Sequence, residues 1–254
     1  MSILTLQKAN FWKRISAYLF DIILTVTLAI GFASLLSAVV GYDKHQEQLQ
    51  NYYEYYEQTY GVDFDISEED YNKLTEDEKL KYETAADALE KDENVLATYS
   101  VIVSLSLVIL SFSVLLGILS IYFIVPLFFK NGQTLGKKIF GLAVIRSNLV
   151  KVSTPVLFAR TLFGMYAIET MFPLFLLAML YFNLMGGVAL ITIGLLFVLQ
   201  VAVLIVSKNN SSIHDLLSDT VVVEFASQRI FETQEALQEF IKEQQAIEAQ
   251  NAAY

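Results

Sequence analysis

Ile15 to Phe32 reads ISAYLFDIILTVTLAIGF, a run fit for the middle of a lipid bilayer except for Asp21. At 1.5 Å rise per residue, this run and its continuation to Val40 cross the roughly 30 Å hydrocarbon core. A carboxylate at that depth is costly to insert, so it turns toward protein or water and marks a functional or structural pair. Arg14 stands seven residues earlier. Seven residues is two helical turns, which places both side chains on one face about 10 Å apart along the axis. Ala17, Tyr18 and Thr25 share that face, whereas Ile22, Ile23, Val26, Ala29 and Ile30 can meet lipid.

Three further stretches are long and apolar enough to span, so the spans are expected at Ile15–Val40, Val95–Phe129, Val156–Phe182 and Gly186–Val206. With 55% hydrophobic and only 17% charged residues, the chain is not an ordinary soluble domain. The expected fold class is an all-α membrane protein with four transmembrane helices, an extracytoplasmic helical hairpin between helices 1 and 2, and a cytoplasmic C-terminal helix. The regions divide at 1–40, 41–94, 95–129, 130–155, 156–206 and 207–254. Lys13 and Arg14 flank the first span, which reads as an uncleaved signal-anchor. No cysteine is present, and two histidines are too few for a histidine-based metal site.

The net charge of −10 misdescribes most of the surface. Gly41 to Asn94 holds 17 Asp/Glu and 5 Lys, a net of −12, which leaves the remainder at +2. Basic residues near span ends set topology and acidic ones contribute little. Lys8, Lys13 and Arg14 precede the first span; Lys130, Lys137, Lys138, Arg146 and Lys151 lie between the second and third; Lys208, Arg229 and Lys242 follow the fourth. The connection Asn183 to Met185 has none. Both termini are therefore expected in the cytoplasm of a plasma-membrane protein, with the acidic loop outside.

Within that loop, Ser67 to Asp70 and Thr75 to Glu78 have the capping-box shape, and a helix over Thr75–Asn94 is expected to run directly into the second span. The first span is expected to continue outward through His45–Gln58, where Tyr52, Tyr53, Tyr55, Tyr56 and Tyr60 cluster. This hairpin is either a cation- or partner-binding face or a solvated charged surface with aromatics packed between its helices. Arg229 to Gln250 reads as a loose amphipathic helix through Ile230, Leu237, Phe240, Ile241 and Ile247, suited either to packing against the cytoplasmic side of the bundle or to a coiled-coil contact.

Four polar features remain. Glu169 lies inside the third span, nine residues after Arg160, half a turn out of phase on a straight α-helix, so the two are expected to face different ways. Pro173, four residues later, disturbs the helix and frees a backbone carbonyl. Ser106, Ser113 and Ser120 recur every seven residues, a spacing that favours close helix packing. The segment Asn131–Val152 is glycine-punctuated and basic, and Leu142–Ile145 suits either a short strand or part of an interfacial segment. Its glycine spacing is not that of a phosphate loop, and Lys137 and Lys138 are expected on the anionic headgroup surface, where each contributes about 1 kcal/mol. His214-Asp215 opens a short turn before the β-favouring Thr220–Val223, but no nucleophile or zinc motif accompanies it, so no catalytic residues, cofactor or enzyme activity are expected.

Three pieces in order, KRISAYLFD (Lys13–Asp21), GQTLGKKIFGLAVI (Gly132–Ile145) and IHDLLSDTVVV (Ile213–Val223), resemble the RDD family of small, mostly bacterial membrane proteins. The resemblance implies Arg14, Asp21 and Asp215 as its signature arginine and aspartates, and a role in transport. Asp219 stands where that family usually has glycine, Ala143 where arginine is common, and Glu169 lies outside the pattern. One functional reading is a transporter that exchanges a small cation for protons through Asp21, with Thr25 and Glu169 nearby, Arg14 and Asp215 as a cytoplasmic gate or charge pair, and a homo-oligomer supplying the pathway. The other is a non-transporting scaffold whose acidic loop and C-terminal helix bind partners. Membrane lipid is a partner in both; nucleic acid is not.

Overall fold

A computed structural model describes residues 5–129, 131–181, 186–207 and 210–252. Lys130, Lys208 and the Asn183–Met185 connection lie outside the described residues. The chain forms two compact units, Met1–Ala29 with Val114–Tyr254, and Ile30–Ser113. Among the described residues four helices are long and apolar enough to cross a membrane: Phe11–Val40, Glu93–Phe129, Thr154–Leu180 and Gly187–Val206. Their apolar side chains are widely exposed, Ile23, Val39, Phe163 and Ile205 among them, as lipid-facing residues are.

In the smaller unit, α1 (Phe11–Val40) gives way at Gly41 to α2 (Tyr42–Tyr60). Gly41 has φ 68°, a left-handed conformation that glycine adopts without cost. After the short α3 (Glu68–Lys73), α4 (Glu76–Lys91) begins with the capping box of Thr75 and Glu78. α2 packs against α4. Tyr53, Phe64, Tyr71 and Tyr82 meet edge to face between them, so the tyrosines serve as a small aromatic core. The expected unbroken run into the second span is interrupted at Asp92. It ends α4 in an extended conformation, accepts a hydrogen bond from Tyr56 at 3.0 Å, and is followed by α5 (Glu93–Leu119).

The larger unit holds a feature that a helices-only fold omits. β1 (Leu142–Arg146) pairs antiparallel with β2 (Thr220–Glu224), Leu142 opposite Glu224 and Arg146 opposite Thr220. The alternation of a strand sends Leu142, Val144 and Val222 to one face, where they pack with Ala9 and Ala17 at the start of α1. Ala143, Ile145, Val221 and Val223 point the other way, onto Leu149, Val150, Phe231 and α12 (Gln234–Ala252) through Leu237 and Phe240. Burial on both faces explains why LAVI and VVV read as unbroken apolar runs. Asp219 turns into β2 at φ 51°, the left-handed conformation for which a glycine is the usual residue. Here Arg146 and the Ser147 hydroxyl hold its carboxylate.

This strand pair fixes the two short helices that flank it, α7 (Leu135–Ile139) and α11 (Ile213–Leu217). α5 continues through a π-helical turn, Ser120–Ile124, into α6 (Val125–Phe129). The third span opens with α8 (Thr154–Ala159), runs as a π-helix over Arg160–Met171 and closes as α9 (Phe172–Tyr181). α10 (Gly187–Val206) is the fourth.

Two glycines set how closely these pieces approach. A Cβ on Gly136 would overlap the Ala17 carbonyl oxygen and lie 2.9 Å from Asp21 Oδ1. One on Gly164 would lie 2.8 Å from His214 Cα. Gly136→Ala and Gly164→Ala are therefore expected to lower the melting temperature in detergent sharply, because backbone must move. Gly194→Ala, with nothing within 4 Å, is expected to leave it unchanged or raise it. Three indistinguishable melting curves would contradict this packing.

Candidate functional site

Asp21 is 0% exposed, on the face of α1 that also buries Ala17. Its carboxylate accepts a short hydrogen bond from the Thr134 hydroxyl at Oδ2 and one of 2.8 Å from the Gly136 N–H at Oδ1. Both donors stand at the start of α7, where a helix presents unpaired amides that suit an anion. Thr134 also accepts from the Lys137 N–H at 3.2 Å, so one side chain caps α7 and binds Asp21. Thr25 turns its hydroxyl to the Asp21 backbone carbonyl, 2.7 Å away, and not to the carboxylate.

Lys137 is corrected from its expected place at the lipid headgroups. It is 8% exposed, and its Nζ lies 3.8 Å from Asp21 Oδ2. The turn of α7 that brings Gly136 onto Asp21 also points the next side chain inward. Burial pushes its ammonium down to about 8, against the pull of Asp21. Lys138, one residue on, is exposed over the Phe129 ring and keeps an outward position.

Arg14 does not pair with Asp21: its Nη2 donates to Asp215 Oδ2 at 3.1 Å. Asp215, 0% exposed, also accepts from Arg160 Nη2 at 2.7 Å and Nε at 3.2 Å, and from the hydroxyls of Ser212 and Thr220. Burial opposes its ionisation, but Arg160, His214 and Arg14 outweigh burial and hold the carboxyl well below the usual range. Asp215 is thus a permanent anion between two arginines from two spans.

Glu169 is brought to the same place as Arg160, contrary to their expected phase. Nine residues are two and a half α-helical turns, but i→i+5 bonding widens each turn, so the same nine make about two. The π-helix over Arg160–Met171 therefore aims both inward, Arg160 at Asp215 and Glu169 at His214. Glu169 accepts from the His214 N–H at 2.9 Å, and its other oxygen lies 2.7 Å from the ring Nδ1. It does not join Asp21 and Thr25 in one site.

These groups surround a cavity of about 230 Å³. Arg14, Lys137, Arg160, Glu169, His214 and Asp215 line its charged side; Met165, Val201 and Leu204 are among its apolar walls. Asp21 lies behind Lys137, outside the lining. Among the described residues no group of three or more His, Cys, Asp or Glu is placed to hold a metal ion.

Truncating one partner of a buried ion pair leaves the other uncompensated, which costs about 3–5 kcal/mol. Asp215→Ala strands Arg160, itself 2% exposed, and is expected to unfold the protein at a much lower temperature. Asp215→Leu combined with Arg160→Met is expected to recover part of that loss. A single variant that melts like wild type would remove Asp215 from its structural role.

No curated protein and no solved structure matches this chain. A family profile described as the RDD family matches residues 8–219, from before Arg14 to beyond Asp215. With most of its length covered in this way, the chain belongs to the RDD family.

Proposed function

We propose that the protein exchanges a small monovalent cation for a proton, with Asp21 and Lys137 as the exchanging pair. The observation that carries this reading is the position of Lys137: its side chain lines the cavity while its ammonium stands 3.8 Å from an otherwise sealed carboxylate. A lysine pushed down to about 8 can give up its proton near neutral pH. When it does, Asp21 is left as a buried anion, and its carboxylate with the Thr134 hydroxyl offers the oxygen donors that hard cations take. One positive charge replaces another, so the buried pair is neutral before and after the exchange. Arg14 and Asp215 act as the charge pair of the two sequence alternatives, and with Arg160 they hold the walls.

The distribution of Lys and Arg supports an orientation with both termini and the Lys137 loop in the cytoplasm. A homo-oligomer fits four spans. Lys138 remains the residue for lipid headgroups.

A second reading, a scaffold that binds partners through α12 and the acidic loop, draws on a different observation: both Asp21 oxygens are already hydrogen-bonded inside the protein. The two part in proteoliposomes carrying a sodium gradient and an internal pH dye. Exchange predicts sodium-driven proton movement that Asp21→Asn and Lys137→Met abolish and Lys138→Met leaves intact. It also predicts decline as pH rises through about 8, because Lys137 then has no proton to give. A scaffold predicts no flux in any variant, and full flux in Asp21→Asn would remove Asp21 from the mechanism.

A further inference from the structure

Tyr122 stands on the π-helical turn of the second span, 3% exposed, and its hydroxyl has no hydrogen-bond partner among the described residues. Buried polar groups without a partner are rare, and each calls for a water or a ligand. The cavity supplies the place: Tyr122 lines it together with Lys137, Glu169 and His214. The Lys137 ammonium lies 5.3 Å from the Tyr122 ring centroid, and the charges of Asp21, Arg160 and Glu169 all bear on the hydroxyl. Ionised side chains at membrane depth are tolerated where water reaches them. At roughly 30 Å³ per water, the cavity has room for about seven. Both π-helical stretches among the described residues, one bearing Tyr122 and one bearing Glu169, border this space, and π-helical turns gather at functional sites.

We propose that Tyr122 anchors a short chain of water across the cavity that carries the proton between Lys137 and the Glu169–His214 pair. This rests on the exchange reading and names the route its proton takes. The Lys137 N–H bond breaks and leaves a neutral amine. Its proton joins the first water, which passes one of its own onward. The Tyr122 hydroxyl accepts from one water and donates its proton to the next. The last water protonates the Glu169–His214 pair, which gains one proton as Lys137 loses one and then passes it to bulk water at the mouth of the cavity. Asp21 and Arg14 face Lys137 from α1, Arg160 from the third span and Asp215 from α11. Tyr18 and Asp215 face the receiving pair.

A relay alters the rate of proton release and leaves its extent alone, which separates it from a structural role. In detergent, stopped-flow mixing with sodium and a pH dye should give a burst of proton release from wild type. Tyr122→Phe keeps the ring and removes only the unpaired hydroxyl, so melting temperature and burst amplitude should be unchanged, while the rate falls on the order of tenfold or more. Lys137→Met should lose the amplitude itself. An unchanged rate in Tyr122→Phe overturns the relay and leaves cation exchange standing. Lost amplitude in Tyr122→Phe assigns Tyr122 to the shape of the Asp21 pocket and also overturns the relay. No release from wild type overturns the exchange reading, and the relay with it.

Discussion

Everything in the larger unit hangs on one buried carboxylate. Asp215 is shared by Arg14 of α1 and Arg160 of the third span. It is also bonded by Ser212 and by Thr220 at the head of β2. Two arginines against one buried acid would be a poor arrangement if the acid were free to take up a proton. The cations hold it ionised, so the cluster keeps its charge across the physiological range. Buried charges are costly to desolvate, and geometry decides whether their attraction repays it. Here the cost is spread over four elements, α1, the third span, α11 and β2, which the one carboxylate ties together.

Asp21 solves the same problem with fewer charges. Its oxygens are met by a hydroxyl and an amide at the start of α7, and by one ammonium at longer range. That arrangement works only because Gly136 lets backbone lie against backbone. The strand pair supplies the rest, because β1 follows α7 directly and is clamped between α1 and α12. The glycine, the threonine cap, the strand and the C-terminal helix thus serve one purpose, presentation of α7 to an acid within the first span. The two aspartates differ in their partners: one is held by two arginines, the other stands near a lysine.

The spans, the acidic helical hairpin and the Arg-Asp-Asp residues were legible because each rests on local periodicity or on a motif that is contiguous in the chain. Arg14 and Asp21 do share a face of α1, as their seven-residue spacing requires. What could not be read was which partner each would find across more than a hundred residues. Arg14 reaches Asp215 and Asp21 reaches Thr134, pairings set by the strand register and invisible to spacing within one helix. The phase of Arg160 and Glu169 failed for a different reason: it assumed 3.6 residues per turn where the chain uses π-helix. Pro173, just beyond that stretch, was the available signal. A proline cannot donate to the carbonyl one turn back, and the helix widens before it. Lys137 was misplaced because basic residues beside a span default to headgroups, whereas Thr134 and Gly136 on either side of the same turn already belonged to Asp21.

A sealed Asp21 argues at first for a static lock, since a carboxylate that exchanges ions must be reached from somewhere. The geometry weakens that inference. Lys137 both lines the cavity and stands 3.8 Å from Asp21, and its charge is insecure, because burial opposes the ammonium and Asp21 alone does not restore it. Arginine in the same place would make a permanent lock, as it does twice at Asp215. Lysine makes a lock whose strength depends on proton supply. The contrast within one site, two arginines on one acid and a lysine on the other, is what a protein needs if one pair is to hold the bundle while the other turns over.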